Sequence, residues 1–254
     1  MNMKTLLGAG LAIGLAACAT SANAKTEPVE LSSYILLDRT GSMNSIWEEA
    51  LGSVNAYAAS VVEPDDGPQV NNTLTLAVFD AQEGLQFEEL RKNVKGEAWS
   101  DITTDEVSPR GMTPLFDAIG KIIATAETNA PEKAVIVIMT DGAENASREV
   151  TKAGVKAALD RAEKRGWEIV FLGAEFANFA DADAVGISAR KSMAMGRGRM
   201  SESMTRLARK SQFYYASEVG APVEFDEADR EEAGEADVQQ RTGEKRKGFF
   251  IRKK

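Results

Sequence analysis

The 254-residue sequence contains no histidine and a single cysteine, Cys18. Without histidine the chain has no Ser-His or Cys-His nucleophile pair, no histidine general base and no histidine-ligated zinc. Because Cys18 lies near the N-terminus, the rest of the chain has no disulfide and no thiolate site. A Walker-type Gly-Lys-Ser/Thr run is also missing, so no phosphate-binding loop is indicated. These absences exclude most familiar hydrolase chemistry.

The chain has fewer basic than acidic residues: 30 Lys and Arg against 39 Asp and Glu, which gives a formal net charge of -9. This balance argues against nucleic acid or an anionic membrane as the partner of the main domain, and it suits cation binding. A hydrophobic content of 43% is typical of globular proteins. The length is therefore expected to hold one sizeable domain with appendages.

The N-terminal segment has the pattern of a signal peptide. Lys4 provides positive charge, an apolar stretch covers residues 6–17, and Ala22-Asn23-Ala24 forms a small-x-small cleavage site. The apolar stretch is too short to span a bilayer as a mature helix. We expect residues 1–24 to direct export to the periplasm or cell envelope, followed by a polar linker over residues 25–30.

A second processing route competes for the same segment. Leu15-Ala16-Ala17-Cys18 resembles a bacterial lipobox, in which the cysteine is lipidated and becomes the new N-terminus. Several acyl chains would anchor the protein stably, in this case to the outer membrane. Lipidation at Cys18 and cleavage after Ala24 both remain open at this stage.

From residue 31 onward, strand and helix patterns alternate, which predicts an α/β fold. We expect an open, mostly parallel central sheet with helices on both faces and one antiparallel edge strand, in a single domain over residues 31–217. Residues 134–139, an uninterrupted aliphatic run, should form the centre of the sheet. The predicted strands are 33–37, 73–80, 86–94, 134–139, 167–172 and 187–194. The predicted helices are 45–61, 114–126, 148–165, 176–184 and 200–216.

Two features near the C-terminus call for separate interpretation. Four methionines lie between Met193 and Met204, and we interpret them as core-filling residues rather than a partner surface. Residues 218–254 are acidic over 224–237 and basic over 241–254, with few apolar residues, which predicts a disordered tail. The tail is either a solvated appendage or an interaction element.

Hydroxyl and carboxylate side chains concentrate in three loops, at residues 38–42, 111–114 and 140–142. In an open parallel sheet, loops at the carboxyl ends of the strands converge. Mg²⁺ takes about six oxygen ligands and keeps several waters, so hydroxyls and two carboxylates suit it. Taken singly, each loop also fits a helix cap or a turn. The candidate metal ligands are Asp38, Thr40, Ser42, Thr113 and Asp141.

These three motifs together resemble the von Willebrand factor A (vWA) family. Its metal-ion-dependent adhesion site (MIDAS) uses Asp-x-Ser-x-Ser, a distant Thr and a later Asp. The resemblance covers about residues 31–217 and implies a vWA, Rossmann-like sheet. It also implies that Thr40 and Ser42 ligate directly, that Asp38 and Asp141 ligate directly or through water, and that Thr113 ligates in a ligand-bound state. Thr40 departs from the usual Ser but keeps the hydroxyl.

The resemblance implies a function in binding rather than catalysis. In the family, the open coordination position is commonly filled by an Asp or Glu carboxylate of a protein partner. We therefore expect an exported, non-enzymatic protein that binds a protein ligand through Mg²⁺ or Mn²⁺. Two alternatives stay open: a metal-dependent hydrolase, and a scaffold that acts through its charged tail.

Overall fold

A six-stranded sheet forms the centre of the computed structural model, which describes residues 30–62, 70–175, 179–217 and 221–243. The strand order is β3-β2-β1-β4-β5-β6. All neighbouring pairs are parallel except β2 with β3. The strands are β1 (Glu30–Asp38), β2 (Asn71–Ala81), β3 (Leu85–Lys95), β4 (Ala134–Thr140), β5 (Glu168–Ala174) and β6 (Ser192–Met195). The predicted fold class is confirmed.

Helices cover both faces of the sheet, since β1 and β4 carry apolar side chains on both sides and need cover on each. One apolar cluster joins the sheet to α1 and α5, and the other joins it to α2, α3 and α4. The helices are α1 (Trp47–Val62), α2 (Leu115–Asn129), α3 (Lys152–Lys164), α4 (Phe179–Val185), α5 (Met200–Ala216), α6 (Glu227–Glu232) and α7 (Glu235–Thr242). No helix among the described residues is long and apolar enough to cross a membrane.

The two central strands, β1 and β4, lie side by side in parallel register, with Leu37 opposite Met139. Every residue of β4 is buried, as the aliphatic run predicts. Successive β4 side chains alternate between the two clusters: Val137 belongs to one, and Ile136 and Ile138 belong to the other. The carboxyl ends of β1 and β4 consequently meet at one edge of the sheet.

Several predicted boundaries shift in the structure. The predicted strand at 187–194 shortens to β6 (Ser192–Met195), preceded by a short 3₁₀ turn. Helix α1 starts at Trp47, because residues Gly41–Ile46 form a separate 3₁₀ helix in place of the first predicted turn. The methionine interpretation is confirmed by near-complete burial of the four side chains Met193, Met195, Met200 and Met204.

The expectation of a disordered tail is wrong for residues 221–243. This segment contains α6 and α7, and it buries Val223, Phe225 and Val238 against the domain. Its acidic residues are partly structural: Glu235 Oε1 accepts a hydrogen bond from the Ala194 amide of β6 at 3.0 Å. A few apolar anchors and paired carboxylates therefore fold a segment whose composition suggests disorder. Residues 218–220 and 244–254 of the tail, the predicted signal and lipobox, and residues 25–29 of the predicted linker lie outside the described residues, whereas Glu30 begins β1.

Candidate metal centre

The five candidate ligands come from three loops at the carboxyl edge of the sheet. Asp38 is the last residue of β1, and Asp141 directly follows β4. Thr40 and Ser42 flank the start of the 3₁₀ helix, and Thr113 lies two residues before α2. Because β1 and β4 are parallel neighbours, their carboxyl ends place the two aspartates side by side.

A chain of short contacts joins the donor atoms of the three loops. Ser42 Oγ donates to Asp141 Oδ1 at 2.7 Å, and it lies 3.2 Å from Thr40 Oγ1. Thr113 Oγ1 donates to Thr40 Oγ1 at 3.4 Å. The structure thus brings four of the sequence-predicted side chains into one hydrogen-bonded group, and Asp38 adjoins it.

Asp38 is fully buried and is held by two donors. Its Oδ1 accepts from the Thr40 amide at 2.7 Å, and its Oδ2 accepts from Thr140 Oγ1 at 2.5 Å. Thr140 belongs to the third polar loop but is not among the five candidate ligands. Its position as the last residue of β4, immediately before Asp141, is the signal that identifies it. Thr140 orients the Asp38 carboxylate by donating to its Oδ2 atom.

The two aspartates form an electrostatically unbalanced pair. Burial raises the pKa of Asp38 to about 7, with a further contribution from the nearby charge of Asp141. Burial also raises the pKa of Asp141 above its usual range. Neither carboxylate has a Lys or Arg ion-pair partner in the described part of the chain. Two buried carboxylates that lack a countercharge, next to three hydroxyl oxygens, fit a hard divalent cation.

Hydroxyl groups outnumber acidic side chains in this donor set. Accordingly, no cluster of three or more His, Cys, Asp or Glu side chains suited to a metal occurs among the described residues. Mg²⁺ and Mn²⁺ accept neutral oxygen ligands and water, so two carboxylates supplemented by Thr and Ser hydroxyls match their preferences.

A buried ion-pair cluster lies beside the donors and ties the first two loops together. Asp80 of β2 is fully buried, and its Oδ2 accepts from Arg39 Nε at 2.6 Å and from Arg110 Nε at 3.1 Å. The Arg110 amide also donates to the Arg39 carbonyl at 2.7 Å. Arg39, which lies between the donors Asp38 and Thr40, is thereby fixed to the loop that carries Thr113.

Glycines allow the loops to approach each other closely. Gly111 has φ +72°, and an added Cβ would lie 2.5 Å from the Ala81 carbonyl oxygen and 3.0 Å from Asp80 Oδ1. A Cβ on Gly142 would lie 3.1 Å from Thr113 Oγ1 and 3.8 Å from Asp38 Oδ2. Any side chain at Gly142 would therefore crowd the donor atoms.

Asn145 has no predicted role, and the structure gives it one. The side-chain Oδ1 of Asn145 accepts from the Thr113 backbone amide at 2.9 Å, and the backbone amide of Asn145 donates to the Thr113 carbonyl at 3.1 Å. This reciprocal pair fixes the loop that carries Thr113 to the loop that carries Asp141. The signal in the sequence is the polar run after Asp141, which is more polar than a simple turn requires.

Two further carboxylates hold the segment that follows Asp141 against the start of α2. Glu144 accepts from the amides of Phe116, Ala146 and Ser147. Asp117, buried in the first turn of α2, accepts from three consecutive amides of residues 148–150. Backbone donors satisfy these carboxylates, which makes them structural supports rather than cation ligands.

No protein-family model matches the sequence, and a search of the curated proteins finds no match. Solved structures do match. The vWF domain of the type V pili tip protein Mfa5 from Porphyromonas gingivalis matches with a TM-score of 0.57 and 10% identity, over 75% of this chain and 98% of that one. Manganese-loaded Plasmodium vivax TRAP protein matches with a TM-score of 0.50 and 17% identity, over 69% and 71%.

Proximal thread matrix protein 1 from the mussel byssus also matches, with a TM-score of 0.53 and 15% identity. The match covers 72% of this chain and 46% of that chain, so the present sequence spans about half the length of the mussel protein. Matches at sequence identities this low show a shared fold and do not show a shared activity. Together with the strand order and the helices on both faces, these matches show that the chain has the von Willebrand factor A fold.

Proposed function

We propose that this protein binds a protein partner through a divalent cation, Mg²⁺ or Mn²⁺, held by Asp38, Thr40, Ser42, Thr113 and Asp141. The observation that carries the proposal is the group formed by two buried carboxylates, which have no countercharge among the described residues, and three hydroxyls from two loops. A bound cation supplies the missing positive charge and an open coordination position that a carboxylate of the partner can fill.

The surroundings of the site favour binding over catalysis. The chain has no histidine, and the nearby carboxylates Glu144 and Asp117 are occupied by backbone amides. A water-activating mechanism would need a base beside the cation, and these two groups are already used to hold loops. The similarity in fold to the vWF domain of a pili tip protein supports an adhesive role.

We further propose that the protein acts outside the cytoplasm, in the periplasm or cell envelope. The support is the signal-peptide pattern of residues 1–24, with the lipobox at Cys18 as an alternative anchor in the outer membrane. Mass spectrometry of the protein isolated from envelope fractions distinguishes the two routes. A diacylated N-terminal Cys18 indicates lipidation, and a free N-terminal Lys25 indicates cleavage after Ala24.

The metal site is tested by magnesium titration calorimetry on three proteins: wild type, Asp38→Ala, and the matched control Asp105→Ala. Asp105 is an exposed aspartate in a turn and does not belong to the donor group. We expect wild type and Asp105→Ala to bind one Mg²⁺ with the same affinity and Asp38→Ala to bind none. Unchanged affinity in Asp38→Ala would refute the ligand assignment.

Partner binding is tested by a pull-down from envelope extracts with the same three proteins, each in Mg²⁺ and in EDTA. A protein captured by wild type and Asp105→Ala only in Mg²⁺, and not by Asp38→Ala, supports metal-dependent adhesion. If all three proteins capture the partner equally in Mg²⁺ and in EDTA, the interaction uses another surface.

A further inference from the structure

Large apolar side chains are rarely exposed among the residues that the structure describes, and one that is exposed borders the candidate metal centre. Met112 is 54% exposed and immediately precedes Thr113, whose hydroxyl belongs to the donor group. In the described part of the chain, Phe213 on α5 is the other large hydrophobic side chain that is exposed. Because a single exposed apolar residue is ordinary on a protein surface, the significance of Met112 lies in its position beside the donor group.

The exposure of Met112 does not come from a loose loop. Its amide donates to the Ala81 carbonyl at 3.0 Å, and its carbonyl accepts from the Ala81 amide at 2.9 Å. The residue before Met112, Gly111, accepts through its carbonyl from the Gly41 amide. The residue after it, Thr113, donates its amide to Asn145 Oδ1. The backbone is therefore fixed on both sides of the exposed side chain.

Met112 also differs from the other methionines of the described residues, which fill the core. All of those are nearly or completely buried: Met43, Met139, Met193, Met195, Met200 and Met204. A flexible, polarisable thioether adapts to apolar groups of varied shape. At the rim of a cation site, it offers an apolar contact directly beside the position where a carboxylate would bind.

We infer that Met112 determines the specificity of the metal-dependent contact by selecting a partner segment in which an apolar side chain adjoins the metal-binding Asp or Glu. The inference rests on the proposed function. The cation would bind the acidic residue, and Met112 would pack against its apolar neighbour. Neighbouring Arg110, about half exposed and held by Asp80, keeps this rim rigid and adds positive charge that suits an acidic segment.

The test uses a pool of synthetic nonapeptides that have a fixed central Asp and random flanks. The pool is incubated with immobilised protein in Mg²⁺ or in EDTA, and the bound peptides are sequenced. We expect wild type to enrich Leu, Ile, Phe or Met beside the Asp in Mg²⁺ alone. Met112→Ser should lose this apolar preference, and the matched control Phe213→Ser should keep it. For the selected peptide, Met112→Ser should bind about five- to tenfold more weakly, because roughly half a methionine side chain is no longer buried.

The outcomes separate this inference from the proposed function. Magnesium-dependent capture without an apolar preference, or a preference that survives in Met112→Ser, would overturn the role of Met112 and leave the metal-dependent binding in place. If no peptide is captured in a magnesium-dependent way, both proposals fail. Magnesium titration without peptide should give the same affinity for Met112→Ser and wild type, which shows that the metal site is intact.

Oxidation provides a second readout, first on the free protein and then with the selected peptide. Mild hydrogen peroxide converts accessible methionine to the sulfoxide, and peptide mapping locates the product. Met112 should oxidise well ahead of the six buried methionines, and the selected peptide should protect it in Mg²⁺. Slow oxidation of Met112 in the free protein would mean that its own chain or a second copy covers the side chain, and it would overturn the inference.

Discussion

At the scale of single residues, two buried aspartates with opposite environments define the site. Asp38 and Asp80 are both fully buried. Asp80 is neutralised by Arg39 and Arg110, whereas Asp38 accepts hydrogen bonds from hydroxyl groups and a backbone amide, and from no basic side chain among the described residues. The side chain of Arg39, adjacent to Asp38 in sequence, binds Asp80 instead. Asp38 is thus left with a charge that an external cation can balance.

The raised pKa of Asp38 predicts how pH affects the stability of the metal-free protein. Its pKa is near 3.8 in the unfolded chain and about 7 in the folded one, so the folded state binds the proton more tightly. As pH rises from about 4 to about 7, stability should therefore fall, and the loss is complete above pH 7. Thermal denaturation in EDTA at pH 5 and pH 7.5 measures the effect.

Asp38→Asn is the control, since it removes the titrating group from the same position. The decrease in Tm between pH 5 and pH 7.5 should become smaller in this variant. Saturating Mg²⁺ should raise the Tm of wild type more at pH 7.5 than at pH 5, because protons no longer compete for Asp38. An equal pH response in wild type and Asp38→Asn would contradict the assigned environment of Asp38.

The buried Arg39–Asp80 pair gives a second prediction at this scale. Asp80→Asn removes the buried countercharge of the Arg39 guanidinium and leaves only the exposed Glu88 carboxylate as its partner, which should lower the free energy of unfolding by about 3 kcal/mol. Arg110→Ala should cost less, about 0.5 kcal/mol, because that side chain is half exposed. Urea denaturation in EDTA measures both. Equal losses in the two variants would contradict the central role of the buried pair.

At the scale of elements, the parallel pairing of β1 with β4 creates the site, and loop-to-loop contacts refine it. Asn145 fastens the Thr113 loop to the Asp141 loop, and Arg110 fastens the Thr113 loop to Arg39 and to Asp80 of β2. Each loop is therefore tied to another at a point next to a donor residue. This arrangement fixes the spacing of oxygens that the chain separates by up to 103 residues, from Asp38 to Asp141.

Substitution of Asn145 tests the loop contact. Asn145→Ala removes the acceptor for the Thr113 amide and should lower the stability by about 1 kcal/mol and weaken Mg²⁺ binding. Asn145→Asp keeps an oxygen acceptor at the same place, so it should retain most of the wild-type Mg²⁺ affinity. Calorimetry and urea denaturation give the two readouts. If both variants bind Mg²⁺ as wild type does, Asn145 does not position Thr113.

At the scale of the whole molecule, residues 221–243 complete the domain. They cover one edge of the sheet, where Glu235 accepts from the β6 amide of Ala194 and the Gly196 amide donates to the Ala233 carbonyl. Arg241 of α7 pairs with the buried Glu175 at the end of β5. The opposite edge is formed by β3, whose pairing with β2 contains register shifts. Covered or irregular edges resist pairing with other chains.

Truncation after Ser217 tests this role. It removes the buried Val223, Phe225 and Val238 and uncovers β6, so the Tm should fall by at least about 5 °C. The exposed edge should also cause concentration-dependent oligomers in size-exclusion chromatography. Truncation after Gly243 retains all of these contacts and serves as the control. A stable monomer after the first truncation would show that the segment is dispensable.

The sequence by itself determined the order of strands and helices as far as α5 and the buried centre of the sheet, and it supplied the five candidate ligands. Local patterns suffice there, because an aliphatic run such as 134–139 has few alternatives to a buried strand. The polar loop motifs also lie directly after the strands that position them. The fold resemblance derived from these motifs is matched by the solved structures.

Only the tertiary structure decided how the side chains are used. Arg39 could have neutralised Asp38, and its contact with Asp80 depends on how β2 packs beside β1. Asn145 acquires its role from a loop 32 residues earlier. The acidic segment 221–243 folds because the edge of β6 provides partners for its carboxylates and apolar anchors. Composition reports how many charges a segment has, and long-range packing decides whether those charges find partners.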